Sequence, residues 1–237
     1  VSGSVVGAEA LLRWEHPEYG LVPPFKFVHV AERIGLIGDL GDWVLEAACR
    51  QMKRFRDQGL KLPRVAINVS AFQFNSSFNK RVKEVLLQAD LPASMLELGL
   101  SEGILADNDP KTIESLQELK ELGVYLSVDD FGTSFSPLSY LGHYQLDELR
   151  IDRSFIADCV ERPESAKLVM GIISMAQSLE LNIVAEGVET EAQYNFLKEN
   201  GTRVMQGYLF SKAVPADELE RLLVPWHFMD QIQRISS

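Results

Sequence analysis

The feature that most constrains this chain is a regular alternation of short β-rich runs with amphipathic helical patterns. The β-rich runs cover 5–14, 64–70, 95–100, 124–128, 147–151, 182–186 and 203–206. Helical periodicity fills the intervals between them, at 42–58, 78–89, 110–122, 163–179 and 190–199. Strands joined through helices run parallel, because each helix returns the chain to the edge from which the last strand started. The pattern therefore predicts an α/β fold built on a parallel sheet.

Two architectures satisfy this alternation, an open doubly wound sheet and a closed (β/α)8 barrel. Neither a GxGxxG nor a GxxxxGK[ST] phosphate loop occurs in the sequence, which disfavours a doubly wound nucleotide-binding domain. We expect a TIM-like (β/α)8 barrel forming one domain over 1–225, followed by a C-terminal tail at 226–237. Seven strands are visible, so the first strand of the barrel is expected to precede residue 1.

Net charge, the length of apolar runs and the spacing of the cysteines argue against several classes of protein. The 34 acidic and 23 basic residues give a net charge of −11, which argues against a nucleic-acid backbone as partner. No apolar run approaches the roughly 18 residues of a membrane span, and no signal peptide is recognisable. Cys49 and Cys159 fit no metal or disulfide spacing and are expected to be buried thiols. A cytoplasmic location is the expectation that follows.

Polar residues stand where the predicted strands end. They are Glu9, Asn68, the pair Asp129 and Asp130, Arg150, Glu186 and Gln206. The carboxyl ends of parallel strands converge on one face of a barrel, where catalytic residues lie. Carboxylates gathered there repel one another unless a cation such as Mg²⁺ or Mn²⁺ sits among them. Two adjacent aspartates could hold a pair of ions, which would stabilise the entering and leaving oxygens of a phosphodiester displacement. The alternative is that strand ends are half-exposed and take polar residues without any function.

Six ordered motifs resemble those of one bacterial family, the EAL domain. They are EALLRW at 9–14, INVS at 67–70, DDFGTSFSPLSYL at 129–141, LRID at 149–152, AEGVET at 185–190 and QGYLFSKAVP at 206–215. The resemblance implies a (β/α)8 barrel that binds cyclic di-GMP and, when active, linearises it with two Mg²⁺ or Mn²⁺ ions. It also implies a module of a longer bacterial signalling protein, in which GGDEF or sensory domains precede the barrel.

The resemblance assigns roles to particular residues. As metal ligands it implies Glu9, Asn68, Asp129, Asp130 and Glu186. As contacts of the nucleotide it implies Leu11, Arg13, Asp130, Glu186 and Gln206. Catalytic roles fall on Glu9, Glu186 and the position of Arg150. Structural roles fall on Glu102, which pins the loop after Asp130, and on Glu189. In the family that loop couples the site to a dimer surface, so a homodimer through it is a further expectation.

Two positions depart from the family. Gly99 stands where the family has another metal-binding glutamate, and Arg150 stands where it has the catalytic lysine. Loss of a carboxylate weakens charge neutralisation around the ions. A guanidinium is a planar fork that rarely releases a proton, whereas lysine is a compact point charge. We expect Arg150 to pair with Asp129 or Asp130 and to take over part of the charge role of the ions.

Three hypotheses follow for function. The first is a degenerate EAL domain that binds cyclic di-GMP as a receptor, with hydrolysis lost or very weak. The second is an active metal-dependent phosphodiesterase that releases linear pGpG. The third is a protein-interaction domain without ligand, which is disfavoured because a dispensable pocket has no reason to keep buried acids. An effector protein is an expected partner, but the sequence does not identify it.

Overall fold

The structure, a computed structural model, describes residues 3–75, 77–106, 109–132 and 142–223. Its strands are β1 (Ala8–Glu9), β2 (Trp14–His16), β3 (Gly20–Val22), β4 (Val65–Val69), β5 (Leu96–Ser101), β6 (Tyr125–Phe131), β7 (Glu148–Ile151), β8 (Asn182–Ala185) and β9 (Val204–Met205). Its α-helices are α1 (Val28–Arg33), α2 (Ile37–Asp57), α3 (Phe78–Gln88), α4 (Glu102–Leu105), α5 (Pro110–Leu122), α6 (Arg153–Ala157), α7 (Pro163–Ser178), α8 (Glu191–Glu199) and α9 (Ala216–Leu222).

Seven of these strands form one parallel sheet in the order β1-β4-β5-β6-β7-β8-β9. The sheet curls into a half-barrel, which confirms the predicted α/β fold of TIM type. Its first and last strands approach at their carboxyl ends, where Gln206 Nε2 donates to Glu9 Oε2 at 2.5 Å. The eighth strand expected before residue 1 stays a prediction.

The core lies between the sheet and its helices. Strands β5, β6 and β7 have both faces covered, and Leu98, Leu126 and Leu149 are fully buried on them. Parallel strands covered on both faces have almost continuously apolar sequences, and this is why these runs could be recognised as strands. Four residues of α2 with the spacing i, i+3, i+4 and i+7 pack into the same core: Leu45, Ala48, Cys49 and Met52. Both cysteines are buried, as predicted.

Helix α2 begins at Ile37, five residues before the predicted start at 42. Two glycines, Gly38 and Gly41, obscure its beginning, because glycine normally weakens a helix. At Gly41 the missing side chain has a packing role, since a Cβ atom there would overlap the carboxamide of Gln73. Close packing against the segment after β4 therefore outweighs intrinsic helix propensity.

The predicted strand over 5–14 is shorter than expected. Only Ala8 and Glu9 pair with β4, and the chain then leaves the sheet to form the antiparallel β2–β3 hairpin. The turn between β2 and β3 is fixed by His16, whose Nδ1 accepts from the backbone N–H groups of Glu18 and Tyr19 at 3.1 and 3.3 Å. A local turn thus interrupts an apolar run that resembled one continuous strand.

Within the described ranges, no helix is both long and apolar enough to span a membrane. The domain boundary at 225, the C-terminal tail at 226–237 and the segment 133–141 after the aspartate pair lie outside the described residues. The expectations placed on them stay predictions.

Candidate functional site

The carboxylate of Glu9 is held by two side-chain amides at the carboxyl end of the sheet. Asn68 Nδ2 donates to Oε1 at 2.8 Å, and Gln206 Nε2 donates to Oε2 at 2.5 Å. Asn68 lies on β4, beside β1, whereas Gln206 follows β9 on the opposite edge. Hydrogen bonds to both oxygens stabilise a carboxylate that would otherwise be costly to bury beside the core.

Arg150 lies at the centre of the site, on β7, with only 4% of its surface exposed. Its Nη2 donates to Glu97 Oε1 at 2.9 Å, and its Nη1 donates to Glu186 Oε1 at 3.0 Å. Glu9 Oε2 lies 3.9 Å from the same Nη1. One guanidinium therefore faces carboxylates from β1, β5 and the end of β8.

The pairing that we expected for Arg150 is wrong. Its ion pairs go to Glu97 and Glu186 rather than to Asp129 or Asp130. The register between β6 and β7 shifts between Val128 and Phe131, so the aspartate pair lies in an irregular stretch opposite Arg150 rather than in regular cross-strand pairing with it. A register shift of this kind is not visible in the sequence of either strand.

Sequence reasoning also missed Glu97. This residue lies on β5 two positions before Gly99, so it points to the same face one layer deeper in the half-barrel. Glu97 is 4% exposed, and its Oε1 also accepts from Ser127 Oγ at 2.9 Å. The signal was present, because an acid inside the apolar run LELGL requires a buried partner.

At Gly99 the space of the missing side chain is already used. A Cβ atom there would lie 2.9 Å from Asn68 Oδ1 and 3.7 Å from Asp129 Cβ. The carboxamide of Asn68 thus closes in on the position where the resemblance implies a carboxylate. It is fixed there by its hydrogen bond to Glu9.

The aspartate pair occupies an irregular stretch of backbone. Asp129 is buried and its Oδ1 accepts from the N–H of Asp130 at 3.1 Å. Asp130 is exposed and has a φ of 52°, a left-handed conformation that is uncommon outside glycine. Strained residues of this kind cluster at functional sites, where the surrounding fold holds them in place.

Burial controls the electrostatics of the cluster. Burial, reinforced by Asp129 and Glu9, raises the pKa of Glu186 to about 8. Burial likewise raises the pKa of Asp129 to about 6, against the opposing effect of Arg150. Burial by itself would lower the pKa of Arg150, but Glu97 and Glu186 together raise it above its ordinary value. The guanidinium therefore stays charged, while some of the acids hold protons near neutral pH.

This arrangement does not fit a pair of divalent ions. In the part of the chain that the structure describes, no group of three or more acidic, histidine or cysteine side chains is set to hold a metal. Glu186 is engaged by Arg150, and Glu9 is engaged by Asn68 and Gln206. A positive guanidinium already stands among the carboxylates, so the predicted metal ligands meet here as a hydrogen-bonded cluster, and their metal roles stay predictions.

The remaining predicted residues surround this cluster. Leu11 and Arg13 follow β1 on the exposed side, and Arg13 Nη1 donates to the carbonyl of Leu12 at 2.8 Å. Glu102 is buried at the start of α4. Glu189 has an exposed side chain, and its backbone N–H donates to Gln193 Oε1 at 2.8 Å. Their assigned roles stay predictions.

The family described as "EAL domain" matches residues 1–213, nearly the whole of the chain that forms the half-barrel. The chain belongs to the EAL domain family. This confirms the resemblance that the six motifs carried. The match includes β1 and the segment after β9, so it covers both edges of the curled sheet.

Relatives of this EAL domain are signalling proteins of several bacteria. The chain is 45% identical to the cyclic di-GMP phosphodiesterase NbdA of Pseudomonas aeruginosa over 95% of its own length and 29% of that protein. It is 40% identical to the cyclic di-GMP phosphodiesterase PdeR of Escherichia coli over 92% of its length and 33% of that protein. The chain thus spans about a third of the length of these curated relatives.

Solved structures agree with the fold. The PaMucR phosphodiesterase in a c-di-GMP complex has a TM-score of 0.88 and is 42% identical, covering 92% of this chain and 89% of that one. The EAL enzyme Bd1971 in its cAMP and cyclic di-GMP bound form also has a TM-score of 0.88 and is 32% identical, covering 92% and 61%.

Proposed function

We propose that this EAL domain is a receptor that binds cyclic di-GMP and hydrolyses it very slowly or not at all. The observation that carries the proposal is the guanidinium of Arg150, which lies buried among the carboxylates at the centre of the site. A fixed positive charge at this point lets a doubly anionic nucleotide approach an acidic cavity without bound ions.

The same contacts argue against efficient hydrolysis. Glu186 and Glu9, two of the residues with proposed catalytic roles, are already engaged by Arg150, Asn68 and Gln206. Arg150 already uses both Nη groups for Glu97 and Glu186, and its planar fork differs in shape from an ammonium, so it is a poor substitute for a lysine that orients an attacking water. With Gly99 in place of a carboxylate, Mg²⁺ or Mn²⁺ binding is expected to be weakened or lost.

For the nucleotide contacts we propose the residues around the opening of the cluster. Arg13 is exposed beside β1 and is free to reach a phosphate, a contact for which a guanidinium is well suited. The other proposed contacts are Leu11, Asp130, Glu186 and Gln206. The complexes of PaMucR and Bd1971 with cyclic di-GMP support a ligand of this class for the fold.

Active hydrolysis to linear pGpG is the second candidate. It is favoured by the names of NbdA and PdeR as cyclic di-GMP phosphodiesterases and by the presence of most of the implied metal ligands. These are Glu9, Asn68, Asp129, Asp130 and Glu186. Metal-induced rearrangement of Arg150 would be required, because its present contacts occupy Glu186.

The experiment that separates the candidates is equilibrium dialysis against cyclic di-GMP, run with Mn²⁺ and with chelator, followed by recovery of the nucleotide. Nucleotide that is bound and still cyclic under both conditions supports the receptor. Nucleotide that is linearised only with Mn²⁺ supports the phosphodiesterase. Neither binding nor cleavage favours a ligand-free interaction domain. The EAL domain of PaMucR, prepared in the same way, serves as the control.

We further propose that the domain is the cytoplasmic part of a longer bacterial signalling protein. Its span of about a third of NbdA and PdeR supports additional domains, which we expect to be of GGDEF or sensory type. A homodimer through the loop after Asp130 and contact with an effector protein complete the proposal. Light scattering of the domain with and without cyclic di-GMP tests the dimer.

A further inference from the structure

A line of alternating basic and acidic side chains runs through the interior of the half-barrel from its amino end to its carboxyl end. We call it the axial ladder and define it as Arg64, Glu97, Arg150 and Glu186. Arg64 Nε lies 3.2 Å from Glu97 Oε2, Glu97 Oε1 lies 2.9 Å from Arg150 Nη2, and Arg150 Nη1 lies 3.0 Å from Glu186 Oε1. Arg64 directly precedes β4, Glu97 lies on β5, Arg150 lies on β7, and Glu186 directly follows β8.

At the amino end of the ladder, Glu97 is held by contacts with three side chains. Glu97 uses one oxygen for Arg150 and Ser127 and the other for Arg64. The guanidinium of Arg64 lies over the ring of Tyr125, 3.6 Å from its centroid, where a cation is attracted to the aromatic face. Glu97 therefore has little freedom to follow Arg150 if that side chain moves.

Glu148 lies beside the ladder, near both Arg64 and Arg150. Its Oε2 lies 3.7 Å from Arg64 Nη2, and its Oε1 lies 3.8 Å from Arg150 Nε. These distances are longer than those of Glu97, and burial, reinforced by Glu97, raises the pKa of Glu148 to about 7. Within the deeper layer Glu97 is thus a stronger partner of Arg150 than Glu148, because it makes the shorter contact and a direct hydrogen bond.

We propose that Glu97 is a positioning residue, which fixes Arg150 beneath the opening of the half-barrel and thereby allows cyclic di-GMP to bind without divalent metal. This inference rests on the proposed receptor function and names the residue that makes it work. Glu97, in the deeper layer, accepts a hydrogen bond from Nη2 of Arg150. The Nη1 group of Arg150 faces Glu186 and Glu9.

The physical reason is preorganisation. An arginine side chain has about 2 kcal/mol of rotamer entropy to lose when it is fixed at a binding site. Glu97 and Ser127 remove that freedom before any ligand arrives, so the cost of ordering does not reduce affinity. A divalent ion, by contrast, must be recruited from solution by carboxylates that are here already in use.

The experiment compares Glu97→Gln with the wild-type domain by two measurements. The first is ¹⁵N NMR of the arginine side chains without ligand, in which a fixed, buried guanidinium gives resolved and slowly exchanging signals. The second is the affinity for cyclic di-GMP in chelator. We expect Glu97→Gln to broaden or lose the Arg150 signals and to weaken metal-free binding by about ten-fold, the equivalent of one lost charged hydrogen bond.

The matched control is Asp147→Asn. Asp147 directly precedes β7 at the amino end of the strands and pairs with Lys120 at 2.6 Å, so the variant also exchanges an ion-paired carboxylate for an amide. It is expected to lower stability without changing the Arg150 signals or the affinity. Ser127→Ala is a milder second variant, because it keeps the charge of Glu97 and removes only one hydrogen bond. It should weaken binding in the same direction by roughly two- to three-fold.

The outcomes separate the two proposals. If the wild-type domain binds no nucleotide but Glu97→Gln loosens Arg150, the receptor function fails while the positioning role stands. If the wild type binds and both Glu97→Gln and Ser127→Ala bind equally well in chelator, the inference is overturned. Unchanged Arg150 signals in a folded Glu97→Gln protein overturn it as well.

Discussion

At the scale of single residues, the site depends on which side chains pair with each buried carboxylate. Glu9 is satisfied by two neutral amides, and Glu186 and Glu97 are satisfied by Arg150. Removing one partner of such a buried pair is strongly destabilising, because the other charge is left without compensation. A variant of Arg150 therefore has to be judged together with the carboxylates that it contacts.

The first prediction concerns Gly99 and Arg150. We expect the double variant Gly99→Glu with Arg150→Lys to recover Mn²⁺-dependent hydrolysis of cyclic di-GMP, because it restores a carboxylate and frees Glu186. Gly99→Glu alone should recover none, since Arg150 remains and keeps Glu186 engaged. Turnover is measured by chromatography of the linear product. An inactive but folded and Mn²⁺-binding double variant would contradict the proposal that Gly99 and Arg150 prevent hydrolysis.

The second prediction concerns pH. The pKa of Glu186 is raised from 4.5 to about 8, so the folded state holds a proton that the unfolded state releases. Between these values the folded state binds more protons, and its stability falls as the pH rises. Glu186→Gln should flatten this fall by up to about 1.4 kcal/mol per pH unit. The measurement is urea unfolding between pH 5 and pH 9.

The control for the pH prediction is Glu199→Gln, which changes an exposed carboxylate at the end of α8. Its stability should follow the wild-type curve. Asp129 and Glu148 contribute slopes of the same sign, because burial raises the pKa of both, so the Glu186→Gln curve should still fall with pH but less steeply. A slope as steep as that of the wild type would show that Glu186 is ionised in the folded protein.

At the scale of elements, the connection after β9 positions Gln206 for its hydrogen bond to Glu9. Val188 N donates to Gln206 O at 3.0 Å, and Leu209 N donates to Val188 O at 3.0 Å. These bonds tie the segment after β9 to the loop after β8 and so direct the Gln206 side chain towards Glu9. Gly207 makes the close approach possible, because a Cβ atom there would overlap the backbone of Val188.

The third prediction follows from that approach. Gly207→Ala should destabilise the domain by about 2–4 kcal/mol, since the obstacle is backbone and cannot rotate away. Gly171→Ala is the matched control. Gly171 lies inside α7 with open space around its Cβ position, so alanine there should stabilise by about 0.5–1 kcal/mol. Thermal unfolding of both variants measures the difference. Effects of the same sign would refute the explanation that the backbone of Val188 leaves no room for a side chain at position 207.

At the scale of the whole molecule, the curled sheet brings its two edges to the same cluster. Glu9 from the first strand, Arg150 from the fifth and Gln206 after the last are far apart in sequence and meet only because the sheet bends. The site and the fold therefore share their interactions, and anything bound at the centre should act on global stability.

The fourth prediction uses this coupling. Mn²⁺ at millimolar concentration should shift the thermal midpoint of the ligand-free domain by less than about 2 °C relative to chelator, because Arg150 already pairs with Glu97 and Glu186. Cyclic di-GMP at 100 times its dissociation constant should add about 2.7 kcal/mol of stability in either condition. A rise of many degrees with Mn²⁺ alone would mean that the ions displace Arg150.

The sequence by itself determined the parallel α/β sheet, the order of its elements and the gathering of polar residues at the carboxyl ends of the strands. These features are carried by local periodicity and by the rule that parallel strands end on one face. The motifs from EALLRW to QGYLFSKAVP added the family, because their order and spacing are specific.

Only the tertiary structure decided which carboxylates Arg150 meets. The choice depends on the shifted register between β6 and β7 and on the depth of Glu97 beneath Gly99, and neither is encoded in the periodicity of a single strand. The early start of α2 and the β2–β3 hairpin were likewise set by packing against Gln73 and by the turn at His16. Periodicity specifies which face a side chain takes, whereas its partner is fixed by the relative position of strands that are distant in the chain.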